Sequence, residues 1–311
     1  MPDIRIEDIN AGVLSSPASF ILDTEKKYAE RLRTLAERVT SSENLSIVLI
    51  SGPSGSGKTT TANLLADVII EQGRRCMVLS LDDFYLPTDS PRYPRHKDGT
   101  LDYETVYALD LPQISETLSD IANNREFSVP KYNFKKSRRD SMREYPPIDG
   151  GVVIIEGLHA LNPLISTSLS YGSAFKIFIS VSTNVTMDGE RIISGRKIRF
   201  LRRLIRDSLY RATSPLSTVK IWRSVLLGED NYLYPTRKYA DVEFDTFHAF
   251  ELSIMRPFAE ALITEDIYDS DEIVRVAYDA VRRAEPLPLE CLPRTSLIRE
   301  FVPGGIYEQL Y

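Results

Sequence analysis

Residues Gly52-Pro53-Ser54-Gly55-Ser56-Gly57-Lys58-Thr59 form a complete G-x-x-x-x-G-K-[ST]. The motif follows the apolar run Leu45–Ile50 and opens a helical pattern over Thr59–Gln72, with Ala62, Leu65, Val68 and Ile69 on one face and Gly73 as a stop signal. Strand, glycine-rich turn and helix in that order point backbone N–H groups at phosphate oxygens, and the helix N-terminus adds partial positive charge. A chance glycine- and serine-rich turn would not need such flanks. The sequence therefore assigns nucleoside triphosphate contacts to Gly52, Ser54, Gly55, Ser56, Gly57, Lys58, Thr59 and Thr60. Lys58 is a catalytic candidate because it reaches the β- and γ-phosphates, and the Thr59 hydroxyl is a ligand for Mg²⁺. No Asn-Lys-x-Asp guanine-reading motif accompanies the loop, which favours ATP.

The rest of the chain supplies a sheet for this loop. Apolar runs at Leu45–Ile50, Cys76–Leu81, Val152–Ile155, Phe175–Val181 and Ala240–Phe244 alternate with helical segments, including Phe20–Val39, 110–125 and 249–265. Unbroken apolar strands separated by helices predict an α/β fold with a central, mainly parallel sheet covered on both faces. Residues 1–19 show no clear period and are expected to be a loose lead-in. Pro130–Pro147 reads as a hairpin or an ordered surface loop, and the proline-rich tail from Pro286 as a segment packing back on the body. The expected division is a 1–40 extension with an amphipathic helix, a 41–285 kinase-type domain and a 286–311 tail.

In such a sheet, groups at the carboxyl ends of strands face the bound phosphates. Leu81-Asp82-Asp83-Phe84-Tyr85 and Ile154-Ile155-Glu156-Gly157 each deliver acids there. Glu156 is placed to hold the magnesium shell, and Asp82 or Asp83 to accept the proton of an attacking hydroxyl. The competing reading has these acids cap the next helix. Further on, residues 191–211 carry Arg191, Arg196, Lys197, Arg199, Arg202, Arg203, Arg206 and Arg211 against one acid, Asp207. Arg199, Arg203 and Arg206 fall on one helical face with Arg202 beside them, while Leu201, Leu204, Ile205 and Leu209 supply the apolar face. A guanidinium face of this kind fits a lid that stabilises charge on a transferring phosphoryl group, a solvated helix surface, or a nucleic-acid contact.

Composition narrows the partners. With 38 Lys and Arg against 44 Asp and Glu, the net charge is −6, so nucleic acid is not an expected general partner. Cys76 and Cys291 are too few for a disulfide framework, and His96, His159 and His248 show no ligand-like spacing. The acidic start has no long apolar stretch of a secretory signal, and no apolar run reaches the roughly 18–20 residues of a membrane helix. The expectation is a cytoplasmic protein without a membrane partner.

The ordered set Gly52–Thr59, Leu79-Ser80-Leu81-Asp82-Asp83-Phe84-Tyr85, Pro130-Lys131-Tyr132-Asn133-Phe134, Ile154-Ile155-Glu156-Gly157, Arg202-Arg203-Leu204-Ile205-Arg206-Asp207 and Pro235-Thr236-Arg237-Lys238-Tyr239-Ala240-Asp241-Val242 resembles the uridine kinase/phosphoribulokinase family. It is most similar to the uridine kinase-like domain of bacterial nucleoside kinases that often carry a TGS domain, which has no counterpart here. Leu101-Asp102-Tyr103-Glu104, Gly228-Glu229-Asp230 and Ser296–Phe301 also resemble that subgroup. The resemblance implies a P-loop NTPase-type α/β/α sandwich with a helical basic lid at about 191–213. It implies ATP and Mg²⁺ as cofactors, and transfer of the γ-phosphate to a small-molecule acceptor, typically the 5′-OH of uridine or cytidine. It makes Asp82 the general base, Glu156 the magnesium-side acid, and Arg206 catalytic. Tyr85, Asp102, Tyr132, Arg203 and Arg206 fall on the substrate side, Arg211 on ATP. It also implies a homo-oligomer.

Two departures stand out. No His follows Tyr132-Asn133-Phe134, where uridine–cytidine kinases read the pyrimidine edge; the chain runs into Lys135-Lys136-Ser137-Arg138-Arg139 instead. The family's Arg-Gly-Arg is Arg211-Ala212-Thr213 here. A kinase for a polyol or sugar phosphate, or a non-catalytic nucleotide-binding or RNA-associated regulator, therefore stand as alternatives.

Overall fold

The computed structural model describes residues 3–134, 136–166, 169 and 173–310. Lys135 of the basic run and Met1 and Pro2 of the N-terminal segment lie outside the described residues. In chain order the elements begin with β1 (Asp3–Arg5), α1 (Ile6–Ser15), α2 (Pro17–Thr40), β2 (Ile47–Ser51), α3 (Lys58–Glu71) and β3 (Cys76–Ser80). Next come α4 (Leu111–Ala122), β4 (Phe127–Asn133), β5 (Arg138–Tyr145), β6 (Val152–Glu156), the single turn α5 (Pro163–Ser166) and β7 (Ala174–Ser180). β8 (Asn184–Met187) and β9 (Glu190–Ile193) lead into α6 (Gly195–Tyr210) and α7 (Pro215–Gly228). The last are β10 (Val242–Asp245), α8 (Glu251–Leu262), the short α9 (Glu265–Tyr268) and α10 (Glu272–Val281). Among the described residues no helix is long and apolar enough to cross a membrane.

The five apolar runs form one parallel sheet in the order β3-β6-β2-β7-β10. Its strands bury both faces, and alternate residues divide between two cores. Val48, Ile50, Val152, Ile154, Ile177 and Ile179 face the layer built by α2, α3, α6, α8 and α10. Ile47, Leu49, Val153, Ile155 and Phe178 face the opposite layer, which α4 and the β4–β5 hairpin help to cover. The strand before the glycine-rich loop, β2, lies at the centre, between β6 and β7.

Pro130–Pro147 belongs to an antiparallel hairpin, one of the two outcomes its sequence allowed, with a bulge between Lys131 and Tyr132. Residues 3–19 correct the expectation of a loose lead-in over 1–19. β1 pairs in parallel with β8, Asp3 opposite Asn184, and α1 buries Ile6, Ile9 and Val13. A strand of three residues whose partner lies far along the chain leaves no local periodic signal. In the tail, the 3₁₀ turn Leu297–Glu300 is buried against α3, with Leu297 and Ile298 in the main core.

Candidate active site

The loop leaves β2 at Ser51, whose hydroxyl donates to Leu158 O (2.6 Å). Two of its glycines adopt left-handed φ where a side chain would also collide: Gly55 (φ +72°) meets Arg199 O and Gly57 (φ +84°) meets the Leu297 side chain, each 2.8 Å from an added Cβ. Such a cradle lets the backbone turn tightly enough for Lys58 to begin α3. Lys58 Nζ donates to Pro53 O (3.2 Å). Burial pushes its ammonium below the usual range, and Glu156, Asp82, Glu300 and Glu229 pull it back up.

Around this turn is a cleft of about 220 Å³. Of the residues singled out by sequence, Ser54, Gly55, Gly57, Lys58, Thr59, Asp82, Tyr85, Glu156, Arg203, Arg206 and Arg211 line it. Gly52, Ser56, Thr60, Asp102 and Tyr132 do not. Gly52 presses on β7, an added Cβ lying 2.2 Å from Ile179 O, and Ser56 is fully buried. Thr60 gives its N–H and hydroxyl to Glu300 (3.3 and 2.8 Å). Asp102 is held behind the cleft, accepting the N–H of Glu104 (3.1 Å) and the Tyr232 hydroxyl (3.4 Å). Tyr132 joins a ring cluster, tilted against Tyr85 (5.9 Å) and edge-on to Phe134 (5.0 Å).

The two adjacent acids after β3 part company. Asp83 turns toward the hairpin, accepting the Tyr132 N–H (3.1 Å) and a guanidinium N–H of Arg143. The bulge at Tyr132 frees that N–H from the ladder, and Asp83 takes it up. Asp82 faces the cleft instead. Its backbone N–H is capped by Ser80 Oγ (3.3 Å), so the capping role offered to the acids belongs to the serine. Burial pushes the Asp82 carboxyl above its ordinary range, against the pull of Lys58, Arg211 and Arg206. Glu156, at the end of β6, is raised by burial and then by Asp82.

The basic segment is helical as expected, with its first residues in β9, but its arginines serve two different ends. Arg199 does not join the phosphate face. It donates to Ser54 O (2.8 Å) and forms a bidentate pair with Glu229 (2.8 and 2.8 Å), both side chains only 1% exposed. Arg202, fully buried, donates to Gly55 O (3.3 Å) and pairs with Glu251 (2.7 and 3.0 Å). These two brace the loop from beneath. Arg203 and Arg206 share Asp207 (3.1 and 2.8 Å), and Arg203 also donates to Ser54 Oγ (2.8 Å). With Arg211 they form the cationic wall. Leu209, expected on the apolar face, is exposed.

Sequence reasoning did not single out Glu104, Glu229 or Glu300, which also line the cleft. The first two sit inside stretches that carried the family resemblance, and Glu300 inside Ser296–Phe301. For the Mg²⁺ expected from the sequence, the candidate donors are the Thr59 hydroxyl and the Glu156 carboxylate, two residues that line the cleft. Among the described residues no cluster of three or more His, Cys, Asp or Glu would hold a metal. Two oxygens suit a cation that keeps most of its waters and binds through substrate phosphates, so the residues present fit it.

The profile of the Phosphoribulokinase / Uridine kinase family matches residues 47–253. A uridine kinase of Lactobacillus helveticus is 28% identical over 198 residues, covering 63% of this chain and 84% of that protein. A Staphylococcus aureus uridine kinase is 29% identical over 198 residues, covering 63% and 85%. The match takes in the glycine-rich loop, both strand-end acids and the arginines of α6, and the chain belongs to the phosphoribulokinase/uridine kinase family of P-loop kinases.

Proposed function

We propose that this protein transfers the γ-phosphate of ATP to a hydroxyl of a nucleoside, the 5′-OH of a uridine- or cytidine-like acceptor. The observation that carries the reading is the convergence of Lys58, Thr59, Asp82 and Glu156 on one cleft walled by Arg203, Arg206 and Arg211. Asp82 accepts the proton of the acceptor hydroxyl as its oxygen bonds the γ-phosphorus, and the bond to the β–γ bridging oxygen breaks to leave ADP. Lys58 and the arginines hold the negative charge spread over the transferring group. Thr59 and Glu156 would hold Mg²⁺, which when bound neutralises charge on the phosphates.

On the acceptor side, Tyr85 lines the cleft and its ring meets Tyr132 (5.9 Å) and Phe134 (6.4 Å). Aromatic faces beside the proposed base suit a flat heterocycle, and the similar proteins named above are uridine kinases. The test is a phosphotransfer assay with ATP, Mg²⁺ and a panel of nucleosides, polyols and sugar phosphates. Product from uridine or cytidine is expected. Product only from a polyol or sugar phosphate would replace the nucleoside, and no product from any acceptor would overturn the kinase reading.

A further inference from the structure

The nucleotide loop is held by two carboxylates contributed from far along the chain. At its front, Glu229 accepts the N–H of Ser54 (3.1 Å), and its charge is matched by the bidentate pair with Arg199. At its rear, Glu300 accepts the N–H (3.3 Å) and hydroxyl (2.8 Å) of Thr60, in the first turn of α3. Glu300 is 4% exposed and lines the cleft. Among the described residues its nearest ion-pair contact is Arg206, at 4.0 Å, and Arg206 is already engaged by Asp207 at 2.8 Å. Glu229 is thus closely paired with Arg199, whereas Glu300, among the described residues, forms no ion pair closer than 4.0 Å and shares the field of Lys58 with Glu156, Asp82 and Glu229. Glu300 also lies outside the residues 47–253 matched to the family.

An anion there has a chemical consequence. Metal-free ATP carries a charge of about −4 and its complex with one divalent cation about −2. A buried carboxylate lining the cleft that would receive the phosphates repels the first more than the second, and low local dielectric enlarges the difference. Resting on the nucleotide reading above, we propose that Glu300 is a specificity-determining residue of the triphosphate site, an internal anion that admits metal-complexed ATP and disfavours the metal-free form. The segment Ser296–Phe301 delivers it. Leu297 packs against Gly57, and Phe301 lies under the Arg202 guanidinium (5.0 Å) that braces Gly55.

Calorimetric titration of the full chain with ATP, once with Mg²⁺ and once with EDTA, tests this. The wild-type protein should bind the complexed nucleotide at least about 10-fold more tightly. Glu300→Gln keeps an oxygen for Thr60 but loses the charge. It should tighten metal-free ATP by about 5-fold or more while changing the complexed form within about twofold. Glu300→Ala should shift the ratio the same way if the glutamine variant does not fold. Glu300→Asp, which keeps the charge, and Glu290→Gln, an exposed acid of the same tail, should retain the wild-type ratio. Because the readout is a ratio on one folded protein, a purely structural role for Glu300 would leave it unmoved. Equal affinities in the wild type, or an unchanged ratio in both neutral variants, would overturn the assignment alone. Absence of ATP binding under both conditions would overturn the nucleotide reading and this inference with it.

Discussion

Ser80 Oγ donates to Glu156 Oε1 at 2.7 Å while accepting the N–H of Asp82 at 3.3 Å. One hydroxyl thereby ties the ends of two neighbouring strands and sets the start of the turn that carries the proposed base. The register places Ser80 directly opposite Glu156, so the contact follows from strand pairing alone.

Glu156→Gln separates function from stability. Burial and then Asp82 raise the Glu156 carboxyl from its ordinary 4.5 to about 7, so the folded protein binds more protons than the unfolded chain between those values. Stability then falls as pH rises through that range, because the ionised form is the one that burial penalises. The glutamine variant should melt about 2–4 °C higher than wild type at pH 8, with the gap closing near pH 4. Phosphotransfer should drop by about 10²-fold or more. Thermal melts at the two pH values and initial rates would show it; a variant as active as wild type would remove Glu156 from the site.

Asp82 and Asp83 should fail in different ways. Asp82→Asn is expected to cut kcat by about 10²–10⁴-fold with ATP affinity retained. Asp83→Asn loses the Arg143 charge pair of the hairpin, so it should chiefly raise KM for the acceptor. Steady-state kinetics with both substrates varied would distinguish them, and a reversed pattern would transfer the role of base to Asp83.

The acid limb of the pH–rate profile should lie above the ordinary carboxylate range. As the proposed base, Asp82 must be ionised to take a proton, and burial raises its carboxyl from 3.8, so kcat/KM should still be rising with pH above the range where an exposed aspartate has already ionised. Rates measured from pH 4 to 8 check this. Full activity at pH 4 would contradict it.

Ala212 follows α6 with φ +49°, a left-handed conformation that costs an L-residue about 1–2 kcal/mol. Glycine, the family's residue in the corresponding Arg-Gly-Arg, adopts it freely. Ala212→Gly should therefore be neutral or raise the melting temperature slightly, the relieved strain offsetting the added freedom of the unfolded chain, with phosphotransfer unchanged. A marked loss of stability would show that the methyl group packs usefully.

The central sheet was legible because each of its strands is a short apolar run bounded by polar residues, and the loop because its spacing is chemically restrictive. The arginine helix was legible as a helix but not in its pairing. Arg199 and Arg203 look equivalent by period. Only tertiary structure sets Arg199 against Glu229 and Arg202 against Glu251, acids 30 and 49 residues away along the chain. The same limit hid β1 and Glu300, whose partners are distant in sequence. Asp82 and Asp83 were adjacent in an ambiguous turn, and the hairpin bulge decides which one faces inward.

The contact between Thr60 and Glu300 spans 240 residues. At ribosomal rates of about 5–20 residues per second, the glycine-rich loop waits roughly 10–50 s after its own synthesis before its last wall emerges. A growing chain can therefore display the complete glycine-rich motif while the side that Glu300 closes is still open to water, and the selectivity proposed for Glu300 would be acquired only well after the loop itself has been made.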